Sequence, residues 1–266
     1  MFEKIALECA AHPVALWLHF LGEPLLHEGL VDMVRYAKAH GVSQVGVSTN
    51  ATSLEGSLAD ALLTSGLDRL ECSMDADDRE TYRDMRGRDH FDRVRGNVRA
   101  FLERKRELGL AAPVTSIQFM RTPAVESSLE QLVDGWRPYL GADDFVMTIA
   151  PASFSDAIEV AIDGDESVGR APCRWLFSAL MVLQDGTVTM CGADWDASSP
   201  LGNVHEQTLA QIWDGEEMRR RRDAHLTSRF DEVHPCGGCR DWALADGHGY
   251  VNVLEEVDRA RTSRPS

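Results

Sequence analysis

Short apolar runs alternate with longer amphipathic stretches from the start of the chain to about residue 150. VALWLHF (14–20), SQVGVS (43–48), LDRLECSM (67–74), PVTSIQFM (113–120) and DDFVMTIA (143–150) are predicted strands, short and rich in β-branched or large apolar residues. Between them, Glu28–Ala39, Gly56–Ser65, a short segment near Arg79, Phe91–Leu108 and Val125–Tyr139 are predicted helices. In the first of these, Leu30, Val31, Val34 and Ala37 fall on one face.

Strand and helix in alternation at this pitch predict parallel βαβ units. In such folds a ligand sits beyond the carboxyl ends of the strands. The residues to inspect are therefore Gly22-Glu23-Pro24, Ser48-Thr49-Asn50, Ser73-Met74-Asp75, Arg121 and Pro151-Ala152-Ser153. Gly-Glu-Pro stands out, because it sets a carboxylate between the freest and the stiffest backbone residues. Such a carboxylate suits a charge-assisted hydrogen bond to an ammonium group, and the glycine lets backbone come close to a ligand. The plainer account is a βα turn in which Pro24 opens a helix.

The alternation stops near Ala150. The polar stretch that follows is predicted to be a linker. LFSALMVLQDGTVTMC (176–191) is two apolar runs around Asp185-Gly186, a hairpin signal. An amphipathic helix is predicted over about Gln207–Ala224, with Leu209, Ile212 and Trp213 on one face. The organisation expected is a βα domain over 1–152, a linker over 153–170, a small domain over 171–245 and a frayed tail over 246–266.

A formal charge of -16 excludes a general nucleic-acid binder, which needs clustered cations. The run Arg219-Arg220-Arg221-Arg222 does not reverse that, since consecutive helical residues spread around the axis; solvated, structural arginines are expected. No apolar run has the length of a membrane span, and the first residues, with Glu3 and Glu8, make a poor signal peptide. No membrane partner is expected, and the expected compartment is cytoplasmic. There the 6 cysteines are thiols or metal ligands rather than disulfides.

Cys173, Cys191, Cys236 and Cys239 are separated by 17, 44 and 2 residues. The glycines of Cys236-Gly237-Gly238-Cys239 let two thiolates point at one centre. Four thiolates suit an iron–sulfur cluster or a structural zinc; a zinc ribbon would show two Cys-x-x-Cys halves, and this chain has one. Cys9 and Cys72 are expected to be small buried hydrophobes.

In order and spacing, LGEPLLH, GVSTNAT and LDRLECSMDADDRETYRDMRG, followed by CRWLF, QDGTVTMCGAD, LGNVHEQTLAQIWDG and PCGGC, resemble the radical S-adenosylmethionine (radical SAM) enzymes with a C-terminal SPASM or twitch domain. The resemblance runs from near Met1 to about Trp242, with Leu21 where the family has the first glycine of Gly-Gly-Glu-Pro. It implies an α/β fold: a partial (β/α) TIM-like barrel, here lacking its first strand, with a small C-terminal α+β SPASM/twitch domain. It implies that Gly22 and Glu23 bind the ammonium of S-adenosylmethionine and that Ser48, Asn50 and Ser73 approach the rest of that cofactor. It also implies that Cys173, Cys191, Cys236 and Cys239 hold one auxiliary [4Fe–4S] cluster. The activity implied is that of an iron–sulfur oxidoreductase, or of a peptide- or metabolite-modifying enzyme that uses a 5′-deoxyadenosyl radical, with flavodoxin or ferredoxin as electron donor.

The family's radical chemistry begins at a CxxxCxxC loop after the first barrel strand, and these 266 residues contain none. The expectation is that this strand and loop lie upstream of Met1, so that S-adenosylmethionine and a second [4Fe–4S] cluster are bound only when that segment is present. The alternative is a non-catalytic module that binds a peptide or partner and keeps one structural metal site, iron–sulfur or zinc. Arg86 and Arg121 are candidates for anionic substrate groups or for structural ion pairs.

Overall fold

The computed structural model describes residues 1–154, 169–244 and 250–262. Most of the expected linker (153–170) lies outside them. In chain order the elements are α1 (Phe2–Ala10), β1 (Ala15–Trp17), α2 (Leu30–Ala39), β2 (Gln44–Thr49), α3 (Gly56–Leu63) and β3 (Arg69–Asp75). Then come α4 (Arg79–Arg86), α5 (Phe91–Glu107), β4 (Val114–Met120), α6 (Pro123–Ser127), α7 (Leu129–Trp136) and β5 (Phe145–Ile149). The C-terminal part adds α8 (Trp175–Ser178), β6 (Met181–Val182), β7 (Thr187–Thr189), β8 (Gly202–Asn203), α9 (Leu209–Trp213), α10 (Glu216–Leu226), β9 (Tyr250–Asn252) and α11 (Val253–Thr262).

Two compact units emerge. The first comprises Phe2, Cys9–Ile149 and Val251–Ser266. Its sheet has the order β1-β2-β3-β4-β5-β9, and β1 to β5 pair in parallel with their neighbours. This is the parallel α/β architecture that the alternation of runs predicts. Along β3 the period of two is visible. Leu70, Cys72 and Met74 are buried, while Arg69, Glu71, Ser73 and Asp75 stand half-buried on the other face. α5 packs on β3, burying Phe91, Val94, Val98, Phe101, Leu102 and Lys105 at helical spacing. Cys9 and Cys72 are both buried, and burial drives the Cys72 thiol far above its ordinary pKa.

Several boundaries differ from the predicted ones. β1 has three residues where seven were expected over 14–20, because Leu18 makes one more ladder bond to Gly46 O (2.8 Å) and the chain then turns. Gly46 accommodates this strand: a Cβ there would lie 2.5 Å from Trp17 Cε3. The helix expected over 125–139 is two helices, α6 capped by Thr122 and α7 following Ser128. The expected tail contains structure from Tyr250 on. β9 joins the sheet beside β5, α11 buries Val253 and Val257, and Arg261 and Asp258 pair with Asp134 (2.8 Å) and Arg137 (2.7 Å).

The first unit also holds a buried ion pair. Lys105 Nζ lies 2.6 Å from Asp144 Oδ1, and Asp144 further accepts from Thr115 N (2.8 Å) and Gly141 N (2.9 Å). A buried charge survives only with such saturation of its lone pairs.

The second unit comprises Met1, Glu3–Glu8 and Ala150–Tyr250. It takes in most of α1, which the predicted division assigned to the βα domain. Within this unit Lys4 donates to Val204 O and Gln207 O, and Leu209 N donates to Glu8. β6, β7 and β8 form an antiparallel sheet, with the expected turn at Asp185-Gly186 and Gly186 at φ +85°. The helix expected over 207–224 breaks at Asp214-Gly215. α9 begins with a capping box between Thr208 and Gln211. A Cβ at Gly215 would lie 3.0 Å from Gln211 O, a tight approach to backbone that glycine avoids where α10 starts. Arg219 and Arg220 are exposed, but Arg221 is buried and donates to Ser199 O and Pro200 O, and Arg222 lies over the Trp213 ring at 4.0 Å. The solvated run that was expected is thus half structural. No helix among the described residues is long and apolar enough to cross a membrane.

Candidate functional site

In the sheet unit the site forms where β1 and β2 end. Gly22 has φ +90°, a conformation that favours glycine, and no atom lies within 4 Å of where its Cβ would be. The next residue, Glu23, caps the 3-10 turn Pro24–Leu26 by accepting from Leu25 N (3.0 Å). Its Oε1 also accepts from Thr49 Oγ1 (2.5 Å), and its Oε2 accepts from Asn50 N (2.7 Å). The carboxylate is therefore held rigidly against the end of β2. A carboxylate has about four lone-pair sites, so three bonds leave room for one more donor. Both accounts of Gly-Glu-Pro are realised in one geometry: a proline-opened turn, and an anion fixed at a strand end.

Ser48 and Asn50 lie on the same rim. Ser48 N donates to His19 Nδ1 (3.2 Å), and Asn50 Oδ1 accepts from Thr52 N (2.9 Å) and Thr52 Oγ1 (2.6 Å). Ser73 lies on the neighbouring strand, where the β3–β4 register shifts between Ser73 and Asp75. A cavity of about 240 Å³ opens beside Glu23, lined by Leu18, His19, His27 and Met33 among others. That is below the range of about 300–1,000 Å³ for a whole drug-sized ligand and suits the amino-acid end of one. A larger cavity, about 360 Å³ between Glu126–Gln131 and α11, carries no comparable constellation.

Two residues of this region carry no motif in the sequence. Burial lowers the His19 pKa, outweighing the opposing pull of Glu23, so its ring is neutral and can accept from Ser48 N. Glu71 pairs in register with Ser48 on one side and Ser116 on the other. Burial pushes its carboxyl up to about 6, and Arg69 opposes the shift. The two arginine candidates are both engaged. Arg86 Nε lies 2.6 Å from Asp75 and its Nη2 donates to Ser73 O, while Arg121 pairs with Glu126 at 2.8 Å.

In the second unit the four cysteines converge. Cys191 and Cys236 belong to one buried cluster with Leu176, Met190, Met218, Ala224 and Val233, and Cys173 packs against it. Burial pushes the Cys191 thiol up to about 11, and the backbone N–H groups of Asp194 and Ala193 oppose that shift. Burial pushes Cys236 up to about 12, reinforced by the closeness of Cys191, Cys239 and Cys173. Thiols raised as far as Cys191 and Cys236 need a cation to hold them as thiolates. The six cysteines make no disulfide. Gly237 fits where it stands, since a Cβ there would lie 3.0 Å from Asp231 Oδ1.

Two further side chains bond to the cysteine-bearing segments. Arg170 Nη1 donates to Gly237 O (3.2 Å) and its Nη2 to Cys236 O (2.7 Å). Cys173 N donates to His225 Nδ1 (3.2 Å). Burial, and then the Arg170 charge, push His225 down to about 4. No sequence signal marks either residue, because each is identified by partners distant in the chain.

A parallel α/β sheet with a fixed carboxylate at its strand ends is joined in one chain to a four-cysteine unit. The chain matches the radical SAM superfamily over residues 2–114 and the SPASM iron–sulfur cluster-binding domain over residues 173–240. The chain thus carries a radical SAM region followed by a C-terminal SPASM domain. It is 43% identical over 74 residues to GTP 3′,8-cyclase of Chlorobaculum tepidum, a stretch covering 27% of this chain and 22% of that protein. It is 38% identical over 77 residues to a probable GTP 3′,8-cyclase of Methanothermobacter thermautotrophicus, covering 29% and 25%. The match thus spans about a quarter of the length of these curated relatives. Among solved structures, anSMEcpe with bound AdoMet has a TM-score of 0.60 at 14% identity, covering 97% of this chain and 81% of that one. BtrN in complex with AdoMet and 2-DOIA has a TM-score of 0.54 at 13% identity, covering 90% and 78%. Streptococcus suis SuiB bound to its precursor peptide SuiA has a TM-score of 0.58 at 14% identity, covering 77% and 54%. At these identities the structures share the fold.

Proposed function

We propose that the second unit holds one [4Fe–4S] cluster through Cys173, Cys191, Cys236 and Cys239, and that the strand ends around Glu23 bind the amino-acid end of S-adenosylmethionine. The protein then takes part in oxidative modification of a peptide or small metabolite. The observation that carries this reading is the gathering of Cys173, Cys191 and Cys236, from three separate stretches of the chain, around one buried core, with Cys239 close to Cys191 and Cys236. Among the described residues no group of three or more His, Cys, Asp or Glu side chains forms a site for a single metal ion. A [4Fe–4S] cluster would use the same four thiolates that a zinc would hold at about 2.3 Å from one centre. When bound, such a cluster supplies one-electron transfer.

The residues of the chain do the rest of the work. Glu23 offers its remaining lone pair to an ammonium, while Thr49 and Asn50 stop the carboxylate from swinging away. Gly22 leaves open space for backbone approach. Ser48, Asn50 and Ser73 supply polar groups on the adjoining strand ends. The named substrates of similar proteins range from a nucleotide to a precursor peptide, so a peptide or small molecule is as fine a description as they support.

Iron, acid-labile sulfide and zinc per chain, after anaerobic reconstitution, test the proposal. About four irons with matching sulfide are expected, lost in Cys236→Ala with Cys239→Ala. About one zinc and little iron would overturn it. A second reading, a binding module without catalysis, is favoured by the absence of CxxxCxxC from the 266 residues. These residues on their own are therefore predicted not to cleave S-adenosylmethionine reductively. Formation of 5′-deoxyadenosine above a no-protein control would refute that.

A further inference from the structure

Two buried N–H donors beside the cysteine ligands have no acceptor among the described residues: Arg170 Nε and His225 Nε2. For His225 the tautomer is fixed by its neighbour. Cys173 N donates to Nδ1, so Nδ1 is an acceptor and the ring proton sits on Nε2. The side chain is 0% exposed, so water at the surface does not serve that proton. For Arg170, each terminal nitrogen gives one bond, to the carbonyl of Gly237 or of Cys236, and the buried Nε–H has no acceptor among the described residues. The two side chains share a wall. The Arg170 guanidinium lies 4.2 Å from the Phe230 ring centroid, and the His225 ring meets the same Phe230 edge-on at 5.1 Å.

Buried N–H groups in native proteins nearly always have an acceptor, and an orphan points to an absent ion, cofactor or water. These two lie against two of the four cysteines: Arg170 on Cys236 and its neighbour Gly237, and His225 on Cys173. The side chains packed around the same cysteines are mostly apolar, with Leu176, Met218 and Val233 among them, and offer at most a weak thioether acceptor. The acceptor that fits is sulfur, either the inorganic sulfide of a cluster or the cysteine thiolates that ligate it.

We infer that Arg170 Nε–H and His225 Nε2–H donate hydrogen bonds to the sulfurs of the cluster held by the four cysteines, and so raise its reduction potential. The inference rests on the cluster proposed above. Its sign follows from charge. A one-electron reduction adds negative charge to the sulfurs, and donors aimed at them stabilise the reduced form more than the oxidised one. Both residues are thus positioning and tuning residues, with no contact to a substrate invoked.

The test uses the full chain, reconstituted anaerobically, as wild type, His225→Leu, His225→Gln and Arg170→Lys. Iron and sulfide content come first, then the midpoint potential by redox titration read from the electron paramagnetic resonance of the reduced cluster. Hyperfine spectroscopy on wild type labelled with ¹⁵N-histidine supplies an independent readout. The expected result is a reduction equilibrium at least tenfold less favourable in His225→Leu, a midpoint lower by about 59 mV for one electron. Recovery is expected in His225→Gln, which keeps an N–H donor. A weak ¹⁵N-histidine coupling is expected in wild type. Equal potentials in loaded wild type and His225→Leu, with no histidine coupling, would overturn the inference and leave the cluster standing, with buried water as the partner. Should His225→Leu fail to load, the wild-type coupling decides. A wild type that takes up no iron would defeat the proposed cluster, and this inference with it.

Discussion

Glu71→Gln changes the polar face of the sheet without changing its shape. In the folded chain burial raises the Glu71 carboxyl from 4.5 to about 6, against the opposing charge of Arg69. The folded state therefore binds this proton more tightly than the unfolded chain does. Below the unfolded value both states are protonated and the site costs nothing. As pH rises through 4.5 and past 6, the folded state must carry a poorly solvated charge, and stability is lost. At about 1.4 kcal/mol per pH unit of displacement the loss saturates near 2 kcal/mol, an upper value because the side chain keeps part of its water. Glutamine carries no charge at any pH. The variant should thus be more stable than wild type by about 1–2 kcal/mol near pH 8 and within a few tenths of it near pH 4. Both conditions stand clear of the isoelectric point near 4.9. Urea unfolding at the two pH values measures the difference, with equal slopes required of both proteins. An advantage of the same size at both pH values, or a variant weaker near pH 8, would refute burial as the cause.

Two other outcomes follow from the same geometry. Lys105→Met leaves the Asp144 carboxylate buried with only its two backbone donors, Thr115 N and Gly141 N. It should cost about 3–5 kcal/mol in chemical unfolding; a loss under 1 kcal/mol would mean that Asp144 finds solvent. Glu23→Gln removes the negative charge while Thr49 and Asn50 N still hold the side chain. On a chain extended by a CxxxCxxC segment, calorimetric titration with S-adenosylmethionine should show binding weakened by about tenfold or more, since hydrogen bonds to charged groups contribute about 1.5–3 kcal/mol. Unchanged affinity would remove Glu23 from the binding site.

The strands and helices of the first unit were legible because each is a local pattern. Leu70, Cys72 and Met74 repeat every second residue, and Val94, Val98, Phe101, Leu102 and Lys105 repeat at helical spacing. The hairpin at Asp185-Gly186 and the opening of a turn at Pro24 were legible for the same reason, since turn chemistry lies in two or three adjacent residues. The C-terminal helix was not. VLEEVDRART offers two valines, Val253 and Val257, and its other anchors are charges whose partners lie in α7 and the residue after it.

By itself the amino-acid sequence determined the period of each segment, the four cysteines with their spacing, and a carboxylate at a strand end. The tertiary structure decided what those groups meet. Thr49 reaches Glu23 across 26 residues, Lys105 reaches Asp144 across 39, His225 reaches Cys173 across 52 and Arg170 reaches Cys236 across 66. Hydrophobic periodicity says which side of a segment is buried but not against which other segment. Desolvation, which sets the protonation of Glu71 and the neutrality of His225, arises only once those segments have closed over the groups they bury.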